Sequence, residues 1–176
     1  MLRSFNGKSP QVHPTAFVSE FAYLVGDIAI GPYASIWPGV VLRADCGKIT
    51  IGANTNIQDG SVIHGDGDVV IGENVTLGHG VICHARSVGN NCLLGNNCTL
   101  NDGAIVGNNC IIASAAMVLE NREIPSNSFV VGVPALVKSK IQQHQLELIK
   151  TNADAYIELG QQHKNQGLEQ DPLGKL

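Results

Sequence analysis

Apolar residues recur at every sixth position along most of this chain, apart from short insertions at 47–50 and 67–70. This spacing fits neither the 3.6-residue period of a helix nor the alternation of a half-buried strand, and it persists over many repeats. It therefore predicts a solenoid. The aliphatic positions, with one cysteine among them, are Val12, Val18, Leu24, Ile30, Ile36, Leu42, Ile51, Ile57, Ile63, Ile71, Leu77, Cys83, Val88, Leu94, Leu100, Val106, Ile112, Val118, Ile124 and Val130.

Small residues and glycines complete each repeat. A small residue stands four positions after most aliphatic ones, as at Ala16, Ser61 and Ala104, and Gly often follows directly, as at Gly72 and Gly78. Gly and Asn tolerate the backbone angles of tight corners, and a small inward residue lets the chain turn without overfilling the core. Each hexapeptide is thus predicted to form one short strand and one corner.

This pattern resembles the hexapeptide-repeat family, whose fold is a left-handed parallel β-helix with three hexapeptides in each triangular coil. The resemblance alone supplies the left hand, which opposes the usual rule for parallel crossovers. The predicted fold class is therefore an all-β solenoid, a left-handed parallel β-helix followed by a C-terminal α-helix.

The repeat ends at VGVPA, where Pro134 stops it, and a helical pattern follows. We predict a β-helix domain over 1–135, a helix packing along it over 136–167 and a flexible tail over 168–176. The apolar stripe of the helix comprises Ile141, Leu146, Ile149, Ala153, Tyr156 and Leu159.

Three hexapeptides per coil predict which residues stack in adjacent coils, about 4.8 Å apart. His64 and His84 follow aliphatic positions that are three repeats apart, so they are expected to be neighbours on one face, above Arg43. His79 belongs to another column, above Asp59. A symmetric neighbour could bring it to the pair, which predicts a homotrimer with three sites shared between chains.

Polar residues near these histidines allow two interpretations. Arg43 and Asp45 form either an ordinary surface ion pair or part of the site, and Gln58 and Asp59 are either polar corner residues or supports for the ligands. We favour the functional interpretation for all four. The loop GDGD at 65–68 could carry protons or be a solvated turn.

Composition narrows the classes of function. The net charge of −4 and the lack of Lys/Arg clusters argue against nucleic-acid binding. No stretch of the sequence resembles a signal peptide or a membrane span, so a cytoplasmic protein is expected.

The five cysteines include no CxxC pair. We expect all of them in the core, with Cys46 and Cys83 the closest to the site.

The motifs RAD, NIQDGSVIH and GHGVICH, at these spacings, resemble those of the gamma-class carbonic anhydrases and their bacterial homologues, from about Pro10 to Tyr156. The resemblance implies a zinc site, in some members iron or cobalt, at the interfaces of a trimer. His64 and His84 would bind the metal with His79 of the adjacent chain. The implied reaction is the reversible hydration of CO2 to bicarbonate by a metal-bound hydroxide.

The same resemblance implies roles for five further residues. Arg43 and Asp45 would pair across the interface, Gln58 would lie beside the metal-bound water, and Asp59 would belong to the interface network. Tyr156 matches a tyrosine of the C-terminal helix that lies near the site in many homologues.

Two departures from the family keep other functions open. Cys46 stands where the best-known member has Glu, and only fourteen residues separate His64 from His79, so the long loop with its proton-carrying Glu is absent. The alternatives are an acyl-CoA-dependent acyltransferase of the hexapeptide-repeat class, with one histidine as general base, and a metal-binding scaffold with weak or no catalysis.

Overall fold

The computed structural model describes residues 1–169, which form a left-handed parallel β-helix of about seven turns and one C-terminal helix. Three flat faces surround the core, and the chain visits them in turn. Long strands β4 and β6 bend around the corner between faces 1 and 2, which therefore merge into a single 12-stranded sheet, while face 3 is a separate 8-stranded sheet. The predicted fold class is confirmed.

The strands of each face follow one another up the solenoid. Face 1 comprises β1 (Leu2–Arg3), the first part of β4 (Tyr23–Ile30) and of β6 (Val41–Ile51), β8 (Val62–His64), β11 (Ile82–Cys83), β14 (Thr99–Leu100) and β17 (Met117–Val118). Face 2 comprises β2 (Gln11–Val12), the remainder of β4 and β6, β9 (Val69–Ile71), β12 (Ser87–Val88), β15 (Ile105–Val106) and β18 (Glu123–Ile124). Face 3 comprises β3 (Phe17–Val18), β5 (Ser35–Ile36), β7 (Asn56–Ile57), β10 (Thr76–Leu77), β13 (Leu93–Leu94), β16 (Ile111–Ile112), β19 (Ser128–Val131) and β20 (Leu136–Lys140).

The register of the coils is the one that the repeat predicts. Leu42 pairs with Ile63, Ile63 with Cys83, and Cys83 with Leu100, so these side chains form one buried column behind face 1. Apart from β20, the strands within each face pair in parallel. Every side chain in a column therefore has its counterpart directly above and below it.

An asparagine ladder holds one corner of the solenoid. Its members adopt left-handed backbone angles, with φ between 54° and 62°, which Asn tolerates better than most residues. Each side-chain amide donates a hydrogen bond to the next amide oxygen at 3.0–3.3 Å, which ties successive coils together. The ladder runs through Asn54, Asn74, Asn91, Asn109 and Asn127.

The C-terminal segment differs from the prediction at its start. Residues Leu136–Lys140 form strand β20, which pairs antiparallel with β19 and covers the last edge of face 3, and the helix α1 spans Gln143–Asn165. An uncovered edge would leave unpaired backbone groups, so pairing overrides the helical pattern there. Of the predicted tail, 170–176 lies outside the described residues, and Glu169 forms an ion pair with Lys164.

Helix α1 packs against face 3 along a stripe that includes Ile149, Ala153 and Gly160. At Gly160 an added Cβ would lie 3.1 Å from the Cβ of Ser35, so the glycine allows the close approach of helix and sheet.

No helix among residues 1–169 has the length and apolarity to cross a membrane.

The cysteines follow the prediction except at Cys46. Cys83, Cys92, Cys98 and Cys110 are buried, and burial raises the pKa of Cys83 to about 11 and that of Cys98 to about 12, so both remain thiols. Cys46 is exposed, because Ala44 takes the inward position and the extra residues of this coil carry Cys46 outwards. The prediction of a core position for Cys46 was wrong.

Removing a core side chain should destabilise the solenoid. Leu77 is fully buried, so Leu77→Ala is expected to lower the free energy of unfolding by about 2–5 kcal/mol in equilibrium denaturation. The matched control is Leu148→Ala on α1, where half the side chain is exposed and the expected loss is below about 1 kcal/mol. Equal losses in the two variants would contradict this description of the core.

Candidate metal centre

His64 and His84 face each other at the edge between faces 1 and 2. Strand pairing stacks His64 on Arg43, and His84 follows Cys83, which stacks on Ile63. The Nδ1 atom of His64 lies 2.7 Å from the Nε2 atom of His84, and both side chains are largely shielded from solvent. The predicted pairing of these two histidines within one chain is therefore observed.

A carboxylate lies at the outer nitrogen of each of these rings. The Oδ1 atom of Asp45 is 2.9 Å from the Nε2 atom of His64. The carboxylate of Asp102 contacts the buried Nδ1 atom of His84, without the alignment of a regular hydrogen bond. Histidines that bind metals commonly have a carboxylate on the other ring nitrogen, where it fixes the tautomer and the orientation of the ring. The two inner nitrogens are thereby left facing each other.

His79 lies at the opposite edge of face 1, between faces 3 and 1. Its Nδ1 atom is 3.1 Å from the Oδ2 atom of Asp59, so it has the same carboxylate support, while about half of its side chain is exposed. Its backbone N–H donates to the Oδ1 atom of Asn96 at 3.0 Å. A Cβ at Gly78 would lie 2.4 Å from that oxygen, so only glycine fits beside it.

The ion pair between Arg43 and Asp45 keeps a negatively charged carboxylate beside the Nε2 atom of His64. The hydrogen bond from Arg43, and after it that from His64, lower the pKa of Asp45 to about 2. Asp45 is therefore a carboxylate throughout the neutral range and can accept the proton on the Nε2 atom of His64. This ion pair is exposed, and Asp45 also contacts His64. A role of both residues in the site stays a prediction.

Gln58 and Tyr156 belong to the edge of face 1 that carries the exposed histidine. Gln58 is buried, and its Nε2 atom donates to the Oδ1 atom of Asn56 at 3.1 Å. Tyr156, on α1, packs edge-on against Trp37 with 5.4 Å between ring centroids. Burial and then the charge of Asp59 raise the pKa of Tyr156, so its hydroxyl stays protonated at neutral pH.

One chain thus divides the predicted site residues between the two edges of face 1. Strand β11 separates the two edges along the chain, because one histidine precedes it and the other follows it directly. The edge towards face 2 holds Arg43, Asp45, His64 and His84, and the edge towards face 3 holds Gln58, Asp59, His79 and Tyr156.

Three further residues lie around the histidine pair. Sequence reasoning missed Asp102, and it named Cys46 and the loop of Asp66 without giving either a role in binding the metal. Asp102 could have been found by counting, because it comes two positions after Leu100, in the coil directly above His84. Cys46 and Asp66 lie directly before the insertions at 47–50 and 67–70, where the period no longer gives the register. The side-chain donor atoms of Asp45, Cys46 and His64 lie within 4.8 Å of one another, and so do those of His64, Asp66 and His84.

An open cleft adjoins His84. It has a volume of about 420 Å³ and is lined by the loop at 65–68, by His84 and Arg86, and by Asp102. Ligands of a tetrahedral zinc ion lie about 3.3 Å apart. The two inner nitrogens, at 2.7 Å, would need to separate by only about half an ångström to hold a zinc ion.

Comparison with known proteins places the chain in a family. The family model for the bacterial transferase hexapeptide (six repeats) matches residues 87–119. The crystal structure of a hexapeptide transferase family protein from Anaplasma phagocytophilum superimposes with a TM-score of 0.89 at 35% identity, over 92% of this chain and 97% of that chain.

Two curated relatives are similar over nearly the whole chain. Gamma carbonic anhydrase 2, mitochondrial, from Arabidopsis thaliana is 36% identical over 90% of this chain, which spans 60% of the length of the plant protein. Carnitine operon protein CaiE of Escherichia coli K12 is 35% identical over 89% of this chain and 81% of its own length. The chain therefore belongs to the gamma-carbonic-anhydrase-like family of hexapeptide-repeat proteins.

Proposed function

We propose that this protein is a metal-dependent carbonic anhydrase that catalyses the reversible hydration of CO2 to bicarbonate. The observation that carries this proposal is the carboxylate at one ring nitrogen of His64, His79 and His84. Three imidazoles held in this way suit Zn²⁺ and leave a fourth position for water, the arrangement of catalytic zinc sites. Iron or cobalt would fit the same nitrogen ligands.

The proposed assembly is a homotrimer that joins the two edges of face 1. Proteins with hexapeptide-repeat β-helices typically form trimers. The outward column of face 1 includes Tyr23 and Ile82, both at least 40% exposed, with Val41 and Val62 stacked between them. Packing this apolar column around a three-fold axis would bring the partner subunit's His79 to the His64 and His84 edge.

In the proposed reaction the chain's own residues prepare the ligands and the site. A zinc ion, if bound by these histidines, would supply a water whose pKa lies near 7, as is known for carbonic anhydrases in general. Asp45 and Asp59 would hold the protons of His64 and His79 on the ring nitrogens that they contact, which would leave the other nitrogen of each ring able to bind the metal. Gln58 and Tyr156 would then lie at the same interface, on the partner's side of the site. CO2 and bicarbonate would pass through the open cleft.

Loss of a ligand should abolish metal binding without unfolding the chain. His84→Ala removes one of the two facing nitrogens, so the metal content per chain, measured by mass spectrometry after dialysis, is expected to fall from about one to below 0.1. His13→Ala, at an exposed histidine on face 2, is the control and should retain the metal. One metal per chain in the His84 variant would contradict the ligand assignment.

The activity itself is tested by stopped-flow CO2 hydration on the purified protein. Hydration above the buffer rate that is lost with a chelator and restored by Zn²⁺ is the expected result. Metal-loaded protein that leaves the buffer rate unchanged would contradict the proposed reaction and favour the scaffold, which binds metal without turnover.

A second candidate function is acyl transfer from acyl-CoA. The matching family model and the name of the Anaplasma protein both refer to hexapeptide transferases. In that reaction one histidine would act as a general base. The carboxylates that contact the ring nitrogens of the other two histidines would have no role. Turnover of acetyl-CoA that is insensitive to chelator would support the transferase against the anhydrase.

The cytoplasmic location of the protein stays a prediction.

A further inference from the structure

The short loop at 65–68 brings a carboxylate to the histidine pair of the same chain. Strand β8 ends at His64, and the loop leads directly into β9. Asp66 is exposed at its tip, between Gly65 and Gly67, and its carboxylate and the ring nitrogens of His64 and His84 lie within 4.8 Å of one another. Two imidazoles and one carboxylate are thus grouped without any contribution from a second chain.

The neighbouring acids are already engaged. Asp45 binds Arg43 and the outer nitrogen of His64, and the Oδ1 atom of Asp68 accepts a hydrogen bond from the backbone N–H of Lys48 at 2.8 Å. Asp66 makes no hydrogen bond or ion pair among residues 1–169. An added Cβ at Gly67 would meet nothing within 4 Å, whereas one at Gly65 would lie 2.6 Å from the Cγ2 atom of Val69, so the loop is open on one side of Asp66 and packed on the other.

We propose that Asp66 is a metal ligand in the single chain, completing a two-histidine, one-carboxylate site with His64 and His84. Such a set binds Zn²⁺ and also Fe²⁺ or Co²⁺. The chain can then take up the cation before assembly, and in the trimer the partner subunit's His79 replaces the carboxylate. This inference rests on the proposed metal centre, but it assigns a ligand and an order of events that the proposed function does not require.

Two ligands that substitute for each other give a distinctive pattern of affinities. Asp66→Asn, His79→Ala and the double variant are titrated with Co²⁺ by calorimetry, and the visible absorption of bound Co²⁺ reports the ligands. Each single variant should lose about tenfold or less in affinity, because the other ligand remains. The double variant, with only His64 and His84, should lose about 100-fold or more.

Asp68→Asn is the matched control, because it neutralises an acid of the same loop while its amide oxygen can still accept the hydrogen bond from Lys48. It should bind Co²⁺ like the unmodified protein. Circular dichroism spectra that match for all variants would show that the solenoid is intact.

The remaining outcomes separate this inference from the proposed function. If the unmodified protein binds Co²⁺ and His79→Ala alone abolishes binding, Asp66 is not a ligand, while the shared histidine site stands. A double variant that binds as tightly as His79→Ala would also overturn the inference. If the unmodified protein binds neither Co²⁺ nor Zn²⁺, the proposed metal centre fails, and the role of Asp66 fails with it.

Discussion

The hydrogen-bonded register between coils is the constraint on which the rest of the structure depends. Parallel pairing places each residue directly above its counterpart one coil below, so a side chain at the end of a strand has a fixed neighbour. His64 lies above Arg43 for this reason, and His84 lies above His64. The buried column behind face 1 and the asparagine ladder prevent a slip of this register.

The same register sets the electrostatics of the candidate metal centre. Asp59 lies one coil below His79, and Asp102 lies one coil above His84, so a carboxylate meets an outer ring nitrogen in both places. Asp45 reaches His64 from the extra residues of β6, and Arg43 keeps it ionised. The imidazoles are thus oriented by groups along a sheet edge, while the carboxylate of Asp66 is at the exposed tip of a short loop.

Much of this arrangement could be predicted from the sequence because the repeat has an integral number of residues. Once three hexapeptides make a coil, counting alone stacks His64 with His84 and His79 with Asp59. Counting fails where residues are inserted, which is why the exposure of Cys46 and the approach of Asp66 were missed.

Strand β20 was missed for another reason: its helical pattern competes with a sheet edge that exists only in the folded chain. How the two edges of face 1 meet in an assembly is likewise a property of several chains. The repeat contributed one clue, because it places His79 in a different column from His64 and His84. That separation, together with the resemblance to the family, led to the prediction of a shared site.

The most direct test of the account is a crystal structure of the zinc-loaded protein with anomalous diffraction measured at the zinc edge. We expect a three-fold assembly packed through face 1, with one anomalous peak at each interface. Each peak should lie between His64 and His84 of one chain and the partner subunit's His79. A trimer with its peaks elsewhere, or an assembly that leaves face 1 exposed to solvent, would contradict it.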